Sequence, residues 1–95
     1  MKAGYAVLDR NWRCDIGELD LVVSRGGVIV FCEVKARASD RYGAAASAVD
    51  ARKQRKLRSL AARWLAEHPD DRRPGVRFDV AAVTGARTDV IESAF

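Results

Sequence analysis

Histidine occurs once and cysteine twice in these 95 residues, too few for a disulfide framework or for an ordinary structural zinc site. Cys14 and Cys32 are read as reduced core thiols of a cytoplasmic protein. Long apolar runs are missing as well. Nothing approaches the ~20 consecutive apolar residues of a membrane span, and the opening MKAGYAVLDRNWR has no apolar h-region of a signal peptide. A soluble, intracellular chain with no membrane contact is therefore expected. Repeats, low-complexity tracts and linkers are absent too, so residues 1–95 are treated as a single domain. A domain of this size buries roughly 60 to 65% of the surface its unfolded chain exposes, which makes every charged residue in a strand expensive.

Positive charge, by contrast, is plentiful and clustered. The net charge is +4. From Lys35 to Arg63 nine cationic residues stand against Asp40 and Asp50, a local balance of +7 that leaves −3 for the remainder. Such a stretch points to a polyanionic partner, although a solvated helix face has the same composition.

YAVLDRNWR reads as a first extended segment with Trp12 as a core anchor rather than a base-stacking platform. ELDLVVS and VIVFCEVKA are rich in β-branched residues and flank Arg25-Gly26-Gly27-Val28. Gly-Gly between two such runs predicts a hairpin with a type I′ turn, because both turn positions need φ > 0. After the loop ASDRYGAAAS a helix is expected from about Ala48 to Glu67, with Ser47 and Asp50 as a variant capping box. Val49, Leu57, Leu60, Ala61, Trp64 and Leu65 form its buried stripe. His68-Pro69 ends it, VRFDVAAV is a further strand and DVIES a short last one. The order β, β, β, α, β, β predicts an α/β fold: a mixed sheet with one helix over one face.

The hairpin exposes an oddity. With Gly26 and Gly27 in the turn, Asp20 faces Glu33 and Glu18 faces Lys35, all four on one face of the sheet. Like charges directly opposed across a pair destabilise it. A divalent cation removes the defect, since Mg²⁺ is held by one or two carboxylates with water and substrate phosphate completing its shell. Lys35 is placed to orient an attacking water or to offset charge on the phosphate under attack. A solvated outer face with an Asp20–Lys35 diagonal pair and no metal fits the same pattern. Ile29, Phe31 and Val22 share this face, so it is no simple polar exterior. Lys53 lies about 40° from Val49 on the helical wheel, on the core-facing stripe, where it either meets the carboxylates or snorkels outward.

GYAVLDRNWRC, GELDLVV, VFCEVKAR, YGAAASAVDARKQRKL, RFDVAAV and IESAF, in that order, resemble the YraN family of bacterial proteins. That family is similar to Holliday-junction resolvases and other nucleases of the PD-(D/E)XK fold. The resemblance implies a restriction-endonuclease-like core, with Asp20 and Glu33 as metal-binding acids and Lys35 as the catalytic lysine. It also implies that the Val34 carbonyl joins the shell of Mg²⁺, or of Mn²⁺ in its place. Glu18 matches the family's Gly-Glu pair without an agreed role, and the hairpin pairing predicts that it steadies Lys35. Family members normally carry a helix before the segment GYAVLDRNWR. Here that helix is absent from the sequence, which predicts an uncovered sheet face and a homodimer that buries it.

The leading expectation is a Mg²⁺-dependent nuclease-like protein acting on structured or branched nucleic acid, DNA first. Its site residues are Asp20, Glu33, Lys35, Glu18 and Lys53, with Arg37, Arg41, Arg52 and Lys56 on phosphates. A non-catalytic nucleic-acid-binding module of the same fold is the second reading, and an assembly protein with a charged hairpin face the third.

Overall fold

The computed structural model describes residues 4–36 and 50–95. Three strands open the chain, β1 (Ala6–Cys14), β2 (Gly17–Arg25) and β3 (Val28–Ala36). Helix α1 (Ala51–Glu67) and a 3₁₀ turn (Pro69–Asp71) follow, then β4 (Gly75–Thr84) and β5 (Arg87–Ile91). The five strands form one sheet in chain order, antiparallel except for the parallel β3–β4 pair. Strands that run the same way need a crossover between them, and α1 lies within that connection. The α/β mixed sheet with one main helix expected from the sequence is thus present, consistent with a restriction-endonuclease-like core.

β2 and β3 pair in the register that Gly26-Gly27 dictates, from Arg25 opposite Val28 to Leu21 opposite Cys32. The turn itself differs from expectation. Only Gly26 takes a positive φ, 56°, where type I′ needs two. A single left-handed residue at the first turn position is the requirement of type II′, which joins twisted strands equally well. Helix α1 also begins later than expected. Asp50 is its N-cap, accepting the Lys53 amide at 2.9 Å, and Ser47 and Val49 lie outside the described residues. Asp at this position satisfies the third helical N–H and complements the helix dipole, so it outcompetes an earlier start.

The helix lays Leu57, Leu60, Ala61 and Trp64 onto Val22, Ile29, Phe31, Phe78, Val80 and Ala82 of the sheet. Trp64 is fully buried. Phe31 meets it edge-on at 5.9 Å between centroids, and its indole N–H donates to Asp9 Oδ2 at 3.0 Å, which satisfies the one polar atom this ring brings inside. Trp12 packs half-buried against the same core, as an anchor should. A side chain at Gly17 would put Cβ 2.9 Å from Lys56 Cε and 3.4 Å from Leu60 Cδ1, so the bare backbone there lets α1 close over the start of β2.

Among the described residues no helix covers the opposite face. Leu21, Val23, Val30, Cys32 and Ala81 floor a groove of about 520 Å³, and Val34 and Val90 stand exposed along it.

Candidate functional site

Strand β3 turns Ile29, Phe31, Glu33 and Lys35 toward α1. The first two are sealed in the core, while the next two lie where the helix begins. The Glu33 side chain is 10% exposed and that of Lys35 24%. Asp20 continues the hairpin register one step past its last ladder pair, Leu21–Cys32. There its Oδ2 accepts the Val34 amide at 2.8 Å, so a side chain ties β2 to β3 where the backbone ladder stops. The register and that bond put the Asp20 and Glu33 carboxyl groups side by side, close enough for each to shift the other's ionisation. The opposition of two acids inferred from the hairpin is therefore real geometry.

Two ammonium groups answer it. Lys53 Nζ stands 3.0 Å and Lys35 Nζ 3.5 Å from the same oxygen, Glu33 Oε2. Burial resists ionisation of Glu33, but Asp20, Lys53 and Lys35 together outweigh it and hold its pKa below the usual carboxylate value. Asp20 moves the other way: burial first, then its proximity to Glu33, raises its pKa against the opposing Val34 amide. The two acids thus shift in opposite directions, and Asp20 is the one of the pair that ionises later. Lys35 is pushed down by its proximity to Lys53 and by burial, whereas Lys53 is pushed up by its proximity to Lys35 and its ion pair with Glu33.

Lys53 thus meets the carboxylates rather than snorkelling away from them. Glu18 does not do what the hairpin predicts. It pairs with Arg13 at 2.8 Å, directly across β1, because the β2–β3 ladder ends before Glu18 while β1 continues beside it. Its charge still bears on Asp20 and raises that group's pKa. Arg52 and Lys56 are exposed on α1, and Lys56 leans over Gly17 toward the start of β2. Arg37 and Arg41 lie outside the described residues.

Sequence reasoning missed a second ionic cluster, on the groove side. Asp79 is 4% exposed, and the Arg77 guanidinium grips both of its oxygens at 2.9 Å. The Ser93 amide adds a third bond at 3.0 Å, and Arg77 also donates to the Tyr5 hydroxyl at 2.7 Å. Arg-x-Asp on a strand was the available signal, since residues two apart share a face.

Among the described residues no group of three or more His, Cys, Asp or Glu side chains converges as a metal site. The donor set at the hairpin is therefore two carboxyl groups. Mg²⁺ accepts such a set, because it retains several waters and binds through one or two carboxylates plus phosphate. Structural zinc does not fit.

The family model described as uncharacterised protein family UPF0102 matches residues 1–83. A UPF0102 protein of Frankia alni is 59% identical over 81 residues, covering 85% of this chain and 67% of its own length. Relatives in Kineococcus radiotolerans and Mycolicibacterium vanbaalenii are 52% and 48% identical over 83 and 89 residues. They cover 87% and 94% of this chain and 68% and 73% of their own lengths. Both carry the family name, which states no activity.

Proposed function

The chain belongs to the uncharacterised protein family UPF0102, and from its charged hairpin face we propose a metal-dependent endonuclease-like protein that hydrolyses phosphodiester bonds in structured or branched DNA. One observation carries this reading. The Asp20 side chain reaches across the hairpin to the Val34 amide beside Glu33, whose side chain is 10% exposed and has Lys35 3.5 Å away on the same strand face.

Asp20 and Glu33 would hold Mg²⁺ or Mn²⁺, with the Val34 carbonyl as a backbone donor. When bound, the cation supplies Lewis-acid charge against the phosphate oxygens. The protein's own part is positioning. The Val34 amide fixes Asp20, and the sheet below Glu33 fixes the second acid. Lys35 offers its ammonium to the phosphate where negative charge builds. Arg52 and Lys56 reach flanking phosphates without reading bases.

The binding-module reading has its own support. Glu33 is already compensated by Lys35 and Lys53, so the site is neutralised by the chain alone. Cleavage of a panel of branched and linear DNAs separates the two. The nuclease reading expects cleavage in Mg²⁺, none in EDTA, and a loss of about 10²-fold or more in Glu33→Gln. Salt-sensitive binding with no cleavage in either Mg²⁺ or Mn²⁺ would select the binding module.

A further inference from the structure

Glu33 Oε2 is crowded. Lys53 and Lys35 converge on this single oxygen at 3.0 and 3.5 Å, so two cationic groups crowd one acceptor. The two lysines differ in how they are held. Lys35 rises from β3, whose backbone is fixed by the parallel ladder with β4 up to Ala36–Val83. Lys53 comes from another element. Its amide is pinned to Asp50 at 2.9 Å, but its side chain spans the gap from helix to sheet and is 38% exposed, against 24% for Lys35. Its way out is solvent.

We propose that Lys53 is an exchangeable counter-ion of Glu33: it occupies the acid pair in the metal-free protein and is displaced from it by a divalent cation. This rests on reading Asp20 and Glu33 as a cation site. The physical reason is competition for one set of lone pairs. Two carboxyl groups facing two ammonium groups are balanced without a metal, and a hard divalent cation can reach Oε2 only if an ammonium leaves. Lys53 is the one free to go, since its departure disturbs neither ladder nor core. It acts on Glu33 and not on a reacting atom, so it positions the site. The cation and the Lys53–Glu33 bond are consequently linked with negative sign, and whatever weakens the bond strengthens cation binding by the same factor.

Mn²⁺ titration followed by electron paramagnetic resonance of the free ion reads this without any cleavage. Lys53→Met should bind Mn²⁺ about fivefold more tightly than the wild type, the range expected for loss of a partly exposed competing ion pair. Lys53→Gln, which keeps length and a hydrogen-bond donor but no charge, should do the same and serves if the Met variant folds poorly. Glu33→Gln should not bind. Equal or weaker Mn²⁺ binding in both Lys53 variants overturns the counter-ion role and leaves the cation site standing. Absence of Mn²⁺ binding in the wild type and in both variants removes the cation site itself, and the counter-ion role with it.

Discussion

Each face of the sheet encloses an acid, and the two are compensated in opposite ways. On the groove side Asp79 is gripped by a planar guanidinium from its own strand and by the Ser93 amide. Three hydrogen bonds hold its two oxygens, two of them from the guanidinium on its own strand. Under α1, Glu33 is met by two flexible ammoniums, one of them from a different element, and by a second carboxyl. Nothing there is saturated geometrically. The first arrangement is a strut. The second is geometrically free to exchange partners, which is what the proposed cation site requires.

The comparison is broken most directly by removing one cation from each face. Arg77→Met strands Asp79 in a nearly closed environment and should cost about 3 kcal/mol, as expected when one partner of a buried pair is lost. Lys53→Met removes the charge nearest Glu33, yet Lys35 remains and solvent is close, so about 1 kcal/mol or less is expected. Urea titrations of both variants measure this. Equal costs would mean that the two acids are held alike and that exchangeability does not distinguish them.

A smaller effect sharpens which face meets a polyanion. Neutralising Arg52 and Lys56 together should reduce the slope of log affinity against log salt on duplex DNA by about 1.8, at 0.9 for each phosphate contact. Neutralising Arg25, whose guanidinium lies 5.5 Å over the Tyr5 ring at the groove end of the hairpin, should leave the slope unchanged. The reverse result would move the binding surface to the open face.

Much of this contrast was legible in the sequence, and the boundary of legibility is physical. The meeting of Asp20 and Glu33 followed from Gly26-Gly27, because a two-residue turn fixes every pair of its own hairpin. Helical periodicity put Lys53 on the core-facing stripe but left open whether it met the acids or snorkelled outward. Glu18 was misread because its partner Arg13 comes from a third strand, and the competition between β1 and β3 for the start of β2 is not written in either local pattern. The start of α1 at Asp50 depends on which of two caps wins. Asp79 passed unnoticed: Arg77 two residues before it was the available sign, but nothing in that strand announces the Tyr5 and Ser93 that complete the enclosure. Local registers can be read. Encounters between distant segments cannot.

The smallest effect tests the acid pair itself. Asp20 has a raised pKa in the folded chain, so it favours folding when protonated, and that contribution is lost as pH rises through the folded value. Above about pH 4, where an unfolded Asp ionises, the wild type therefore carries a penalty that Asp20→Asn escapes. Glu33 has the opposite sign: its lowered pKa favours folding above the ordinary carboxylate range and weakens it as pH falls through the folded value. The variant also replaces an acceptor that ties down the Val34 amide by another acceptor, so the tether survives. In EDTA at neutral pH, Asp20→Asn should be as stable as the wild type or more stable by about 0.2 to 1 kcal/mol, the scale of opposed like charges in a strand pair. The advantage should shrink toward pH 3. Millimolar Mg²⁺ should stabilise the wild type and leave the variant unmoved, since only the wild type has repulsion for the cation to relieve. Denaturant titrations of the two proteins across pH, with EDTA and with Mg²⁺, give all of these values. A variant less stable than the wild type at neutral pH, with magnesium acting on neither, would show that Asp20 serves only to tie the hairpin to Val34.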